Sequence, residues 1–384
     1  MRKQYDEIQK IAKKMGCTNI FSWSKINTYL RDSYEYLLKY ILKISEDRKD
    51  SIYAISGNVV HTILEKLYSK EIKYKDMLEA YEDELFKFNL SELKYDRSDE
   101  EKNKKIGDKY EVCLRHFFSN HQKIKGKPKI EMFIPIKIND ILIQGYIDFI
   151  HSEIRDDKKY LIVTDWKTSS IYKGVKLDEE KGQLLLYGLG IHQKLNIPLE
   201  QIIVRWAFLK YVDVDCLQAN GNWKTRTIER NSIGESLKSS VKMWLKKSEN
   251  NLSTDEVDNY LDRIVEENSI GCLPEDVKDK FVIKDCYVEV SLTEEAINEL
   301  KENVIATVKE IKEKELEYKK TEDENIWWQD VTDKDSYFLA CLSGYSSKLH
   351  KPYAQYLEDK EIFKNKEGSN EDEDDLGWLE NLID

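Results

Sequence analysis

The stretch from Lys129 to Lys167 limits what this chain can fold into more than any other. Ile130, Met132, Ile134, Ile136 and Ile138 alternate with mostly polar residues, the period of a strand with one buried face. Pro135 interrupts the run with a residue that has no amide to donate, which predicts an edge strand. Asn139-Asp140 signals a turn, and Ile141 to Ile150 reads as the next strand. Arg155-Asp156-Asp157-Lys158 is a second turn, and Tyr160 to Trp166 a third strand, apolar enough to be central. Three successive strands need a sheet, and the rest of the chain must cover it.

The flanking segments supply helices. Residues 1–50 read as helical, with Ile26, Tyr29, Leu30, Tyr36, Leu37, Tyr40 and Ile41 at near-helical spacing. Val60, Ile63, Leu64, Leu67 and Tyr68 form an amphipathic stripe, and residues 71–122 look helical and highly charged. After the meander, residues 178–194 read as a helix and 201–211 as a fourth strand; Asn220-Gly221 marks a hairpin before Trp223 to Arg230. Beyond residue 231 the chain is mostly helical, interrupted by a strand at Phe281 to Val290. Ser291 with Glu294 suggests a capping box for a helix over 292–320. The expected fold is α/β (α+β), a central mixed sheet wrapped by helices. Four blocks follow along the chain: a helical N-terminal lobe over 1–128, a sheet core over 129–230, a mostly helical region over 231–366 packing back on the core, and an acidic tail over 367–384.

Charge and cysteine content exclude several classes. Lys and Arg number 61 against 73 Asp and Glu, a formal charge of −12. Glu367 to Asp384 hold eight acids and no bases, so −12 less the tail's −8 leaves −4 for the body, and a basic groove is compatible with that. The six cysteines include no CxxC pair, which points to reduced thiols rather than a disulfide framework or zinc knuckle. No apolar run approaches the roughly 20 residues of a membrane span, and Met1 to Asp6 open no apolar leader. A cytoplasmic location is expected. The Lys-, Ile-, Asn- and Tyr-rich composition fits an AT-rich genome, such as that of a low-GC bacterium or its phage.

The chemistry concentrates between Gly145-Tyr-Ile-Asp148 and Asp165-Trp-Lys167. Asp148 lies eight residues before the Asp156-Asp157 turn and Asp165 eight residues after it. A symmetric hairpin therefore sets the two acids opposite one another, with Cβ atoms about 5 Å apart. Alternation puts Lys167 on the face of Asp165 and Trp166 on the other. Two facing carboxylates repel and call for a compensating cation. A hard divalent ion with oxygen ligands, Mg²⁺ or Mn²⁺, suits them and can polarise a phosphoryl oxygen. The lysine can orient a water or offset transition-state charge. Asp-x-Lys alone is weak, since it recurs at Asp156-x-Lys158, Asp157-x-Lys159 and Asp276-x-Lys278. Its position decides: Asp165-x-Lys167 ends an apolar strand, where a solvated ion pair is least expected. His61 lies beside the buried stripe of its helix and can reach inward as a neutral ligand, though a histidine there is more often structural. Gln183 and Tyr187, at i and i+4, share a helix face after that strand.

Together, Ser22-Trp-Ser-Lys-Ile-Asn-Thr-Tyr29, Gly57-Asn-Val-Val-His61, Gly145-Tyr-Ile-Asp148, Asp165-Trp-Lys167-Thr and Gln183-Leu-Leu-Leu-Tyr187 resemble the PD-(D/E)XK nuclease superfamily in its RecB-like branch. That branch includes helicase-linked and CRISPR-adaptation exonucleases. The resemblance implies a restriction-endonuclease-like core. It makes Asp148 and Asp165 metal ligands, Lys167 the catalytic lysine, His61 and the Trp166 carbonyl further ligands, and Gln183 and Tyr187 a supporting motif. Glu131 corresponds only loosely to an upstream acid. Many relatives hold an iron–sulfur cluster through four cysteines; here Arg31-Asp-Ser33-Tyr stands where the first is expected, and Tyr337 to His350 retains only Cys341, so no cluster is expected.

The implied activity is a Mg²⁺- or Mn²⁺-dependent DNase with one or two ions, acting on DNA ends or single strands in replication, recombination or repair. The alternative is an inactive nuclease-fold scaffold that binds nucleic acid or a protein. Lys123, Lys125, Lys127 and Lys129 are candidates for the phosphate backbone or simply a solvated linker, and Trp23, Tyr29, Tyr34 and Tyr36 for base stacking, although aromatics at those spacings more often pack helices. Leu376, Trp378, Leu379, Leu382 and Ile383 give the tail 367–384 an apolar docking face for a protein partner or for the enzyme's own DNA groove, the alternative being a simple solubilising terminus.

Overall fold

A computed structural model describes residues 3–48, 52–91, 95, 100–122, 124 and 127–367. The acidic tail beyond Glu367, and with it the proposed docking face, lies outside the described residues, as do Lys123 and Lys125. In chain order the helices are α1 (Tyr5–Met15), α2 (Trp23–Arg31), α3 (Ser33–Tyr36), α4 (Ile52–Tyr68), α5 (Met77–Leu90), α6 (Glu100–Asn120), α7 (Val175–Glu180), α8 (Gly182–Leu195), α9 (Ile233–Leu245), α10 (Thr254–Glu266), α11 (Glu275–Lys278), α12 (Glu294–Thr321), α13 (Asp333–Tyr337) and α14 (Lys351–Glu367). The strands are β1 (Asn19–Ser22), β2 (Lys129–Ile138), β3 (Ile141–Arg155), β4 (Lys158–Lys167), β5 (Ile202–Leu217), β6 (Trp223–Glu229) and β7 (Phe281–Val290). The fold is mixed α/β, as the patterning predicts.

Contacts group the chain into two compact units that are discontinuous in sequence. The first comprises Met1–Ser24 and Asp50–Thr307, the second Lys25–Lys49 and Val308–Asp384.

The first unit is built on a seven-stranded sheet in the order β1-β3-β4-β5-β6, with β2 on β3 and β7 on β5. The β3–β4 hairpin turns at Asp156 and Asp157, both in the left-handed region (φ 47° and 60°), a backbone that matches strand twist and that Asp tolerates. That two-residue turn fixes the register: Phe149 pairs with Thr164 and Arg155 with Lys158. β2 pairs only with β3, the edge position that Pro135 requires. β1 runs parallel to β3, Asn19 to Ser22 against Ile141 to Gln144. It breaks the helical reading of residues 1–50, because four residues are too few to show a period.

Helices cover both faces of this sheet. Phe149 and Trp166 join the buried stripe of α4 (Val60, Ile63, Leu64, Leu67) in one apolar cluster. α8 lies on the other side so closely that Cβ atoms at Gly188 and Gly190 would strike Leu292 and Ile134. β5 carries a third cluster, where Val212, Val214 and Cys216 pack with Leu237 and Val241 of α9 and Leu261 of α10. The expected capping box at Ser291 and Glu294 is replaced by a cap two residues later: α12 begins at Glu294, and Thr293 Oγ1 accepts from the Ala296 amide at 3.2 Å.

The second unit joins the segment around α3 to the C-terminal helices. Trp327 stacks on Tyr36 at 5.6 Å, and Ser33 Oγ donates to the Trp327 carbonyl at 2.7 Å. Tyr29, Tyr34 and Tyr36 are buried and donate to Glu310, Glu324 and Glu315. They are core residues, in line with the helix-packing reading and not with base stacking. The segment 337–353 closes on 31–48 by hydrogen bonds as well as packing: buried His350 donates to Asp32 at 2.7 Å, and Tyr345 donates to the Ile44 carbonyl at 2.8 Å.

Candidate active site

β3 places the first acid. Its edge opposite β2 is shared by two strands: β1 takes residues 141–144 and β4 takes 149–155. Gly145 to Asp148 lie in the gap between them, where the ends of β1 and β4 diverge. On the other edge, the β2–β3 ladder continues on both sides of Glu131 and Asp148 but omits that pair. Glu131 there has φ 44°, a left-handed backbone unusual for glutamate. Such local breaks re-aim side chains, and they recur beside active sites.

Asp148 and Asp165 flank the point where the hairpin ladder ends. The Trp166 amide donates to Asp148 Oδ2 at 3.0 Å, so a backbone group of β4 holds the carboxylate of β3. Lys167 Nζ lies 2.7 Å from Asp165 Oδ2. Trp166 points to the opposite face, 5.6 Å from the Phe149 ring and stacked on Tyr68 of α4. That packing anchors β4 and leaves its peptide groups facing the acids. From α4, His61 brings Nε2 to 3.0 Å from the Trp166 carbonyl oxygen and Nδ1 to 3.6 Å from Asp148 Oδ2.

α8 closes the site. Gln183 Nε2 donates to the Tyr187 hydroxyl at 2.8 Å. Tyr187 is buried directly over Gly145, where a Cβ would come within 2.8 Å of its ring. Gly182, at the start of α8, has the Trp23 indole in the space a Cβ would take. Gly145 of the Gly-Tyr-Ile-Asp motif, and Gly182 just before the Gln183–Tyr187 motif, therefore leave room for aromatic rings.

The electrostatics follow from burial. Asp148 and Asp165 are 8% and 3% exposed. Burial pushes the Asp148 carboxyl well above the usual carboxylate range, and the Asp165 charge pushes it further; Glu131 adds to this, while the Trp166 amide and Lys167 oppose it. Burial works against a charge on Lys167, but the Asp165 carboxylate overcomes it and holds the ammonium above its ordinary value. Tyr187 is raised by burial and then by the Asp165 and Asp148 charges, so it stays a neutral phenol.

These residues fit a divalent cation. Acids crowd together in a buried place, and both nitrogens of His61 face oxygen acceptors, an arrangement that a cation between them relieves. Among the described residues, no three His, Cys, Asp or Glu side chains are grouped to clasp an ion as they stand. Two of the groups suited to the task are engaged within the chain, Asp165 by Lys167 and the Trp166 carbonyl by His61.

The structure thus brings Asp148, Asp165, Lys167, His61, the Trp166 carbonyl, Gln183 and Tyr187 into one neighbourhood. Glu131 belongs there too, more firmly than its loose offset suggests. The signal was present in the sequence: Glu131 lies eight residues before the Asn139-Asp140 turn and Asp148 eight after it, the same symmetry that pairs Asp148 with Asp165.

Comparison with known proteins agrees with this geometry. Residues 20–324, most of the chain, match the family model of the PD-(D/E)XK nuclease superfamily. No curated protein matches the chain. Among the described residues no helix is long and apolar enough to cross a membrane. The chain belongs to the PD-(D/E)XK nuclease superfamily, hydrolases that act on nucleic acid and generally use divalent metal ions.

Proposed function

We propose that this chain is a Mg²⁺- or Mn²⁺-dependent DNase of the RecB-like branch, without an iron–sulfur cluster, that processes DNA ends or single strands. The observation that carries the reading is the convergence of Asp148, Asp165 and Lys167 at the split edge of β3, with His61 brought in from α4. Asp148, Asp165, His61 and the Trp166 carbonyl would hold the metal. When bound, the ion supplies charge neutralisation at the scissile phosphate and acidifies water. Lys167 is a cation at neutral pH, held by Asp165, so it offsets charge on the phosphoryl oxygens in the transition state and is not the group that takes a proton. Gln183 fixes the Tyr187 hydroxyl, and Tyr187 shields the acids from water. Cys341 is the one cysteine in the 337–350 segment, fewer than a four-thiolate cluster needs there, which supports the reading without a cluster.

The test is digestion of an oligonucleotide and a plasmid with Mg²⁺, Mn²⁺ or EDTA. Lys167→Ala is expected to lose about 10²–10³-fold in rate, the scale of removing one electrostatic stabiliser. Asp165→Ala should lose at least as much. Cleavage that survives both substitutions unchanged would refute the assignment.

A further inference from the structure

We infer that the cleft between the β5–β6 hairpin and α9 is a second binding site for the phosphate backbone of a nucleic-acid strand, remote from the acids. The inference rests on the nuclease reading above, because it assigns the site to the same substrate. The cleft has a volume of about 420 Å³ and is lined by Gln218, Lys224, Arg226, Ser239, Ser240 and Met243, with Leu217 at one end. No Asp or Glu is among the described residues that line it. In a chain of formal charge −12, an acid-free cleft with two cations runs against composition.

Register explains how the cations come to face the helix. Lys224 pairs with Cys216, Arg226 with Val214 and Ile228 with Val212. Val212, Val214, Cys216 and Ile228 are buried under α9, so Lys224 and Arg226 continue the same face of the hairpin past the end of the apolar cluster. Both are exposed, and neither has an ion-pair partner among the described residues. Two positions apart on a strand, they stand about 7 Å from each other, suited to successive phosphates of an extended strand. Ser239 and Ser240 add hydroxyls from α9, and Gln218 adds an amide. Trp244 fixes this end of β5, its Nε1 donating to the Leu217 carbonyl at 2.9 Å, and its ring carries Lys247 and Lys280 at 5.3 and 5.5 Å. Cations, hydroxyls and an amide with no carboxylate make a site for phosphodiesters, not for bases, so the contact is independent of sequence.

β5 also sets the distance. Trp206, beside Asp165, pairs with Val288 of β7, and Cys216, beside Lys224, with Phe281; because β5 is irregular between Ala207 and Val212, the two places lie seven residues apart along β7, about 23 Å, and on opposite faces of the sheet. At about 7 Å per nucleotide a strand of three cannot reach both places, whereas one of about 30 can.

The experiment uses the full chain in EDTA, so that binding is read without cleavage. Fluorescence anisotropy compares wild type with Lys224→Glu/Arg226→Glu on a labelled 30-nucleotide strand and a 3-nucleotide strand. The variant is expected to bind the long strand about 10-fold more weakly at 0.1 M salt, with a salt slope shallower by about 1.5, the value for two lost phosphate contacts. The short strand should bind as before, and Lys224→Arg/Arg226→Lys should restore the long-strand affinity. Unchanged affinity and slope on the 30-mer would overturn the site, as would equal weakening on both lengths. Loss of inorganic phosphate binding alone, with the 30-mer unaffected, would also overturn it. The two readings fail separately. An enzyme that never cleaves, yet loses long-strand affinity in the variant, keeps the cleft and loses the catalytic assignment. Normal cleavage dependent on Asp165, with unchanged 30-mer binding, does the reverse.

Discussion

Asp148 carries the largest electrostatic conflict in the molecule's candidate site. Its carboxyl is buried against Asp165 and Glu131 and so binds its proton more tightly in the folded chain than in the unfolded one. The sign follows from linkage: between the unfolded value of 3.8 and the higher folded value the native state holds more protons, so stability falls as pH rises through that window. Asp148→Asn removes the conflict while an amide oxygen can still accept from the Trp166 N–H. In EDTA at pH 7 the variant should therefore melt a few degrees above wild type, with the gap closing below pH 3.8. With Mn²⁺ the order should reverse, because the wild type regains the cation its acids are arranged for. Thermal melts across pH 3 to 8 check this, and a variant less stable than wild type in EDTA at pH 7 would contradict it. The nearness of Asp148 and Asp165 was legible because spacing encodes it: they sit at equal distances from a two-residue turn. Tyr29, Tyr34 and Tyr36 were not legible, because their glutamate partners lie about 280 residues away and no local pattern announces them.

At the level of elements, the site depends on how closely α8 approaches β3. Gly145 is the point of contact, since a Cβ there would stand 2.8 Å from the Tyr187 ring. Gly145→Ala should displace Tyr187 from its place over the acids. The expected cost is about 1–3 kcal/mol, the range for overpacking a filled core. It should also lower the cleavage rate, whereas Gly174→Ala, strained by its positive φ of 53° but with open space around a Cβ, should cost stability without a matching loss of rate. Denaturant titration and cleavage assays on the same preparations separate the two effects; Gly145→Ala with wild-type stability and rate would show that the contact is dispensable. The strands of the meander were readable because period-two alternation and turn chemistry agree there. β1 was not, being four residues long. The start of α12 was misplaced because Ser291 and Thr293 both suit a cap, and only the backbone path selects Thr293.

For the molecule as a whole, the second unit is the part most dependent on distant segments. Asp32 caps α3 by accepting from the Tyr34 and Glu35 amides, and His350, 1% exposed, donates to its other oxygen. Burial raises the Asp32 carboxyl, but the His350 hydrogen bond and charge outweigh it and leave the group below the usual carboxylate range. A depressed folded value means stability present above pH 3.8 and lost as pH falls through that lower value. Asp32→Ala leaves two amides and a buried imidazole without their acceptor and should cost about 3–5 kcal/mol, the range for breaking a buried charged pair. Hydrogen exchange should then show lost protection over residues 25–48 and 308–361, with the sheet of the first unit still protected. Uniform loss across both units, or none, would argue against a staple local to the second.

The sequence alone determined the strands of the meander, their register and the nearness of Asp148 to Asp165 just past the end of the hairpin ladder, because alternation and two-residue turns are local and leave one register that buries the apolar face. Only the tertiary structure decided that His61 reaches the Trp166 carbonyl, that Tyr187 sits on Gly145, that Glu131 stands at the break in the ladder, and that the tyrosines near residue 30 are core. Those facts depend on the close packing of segments far apart in the chain, where which side chains meet is set by shape and burial rather than by any spacing along the sequence.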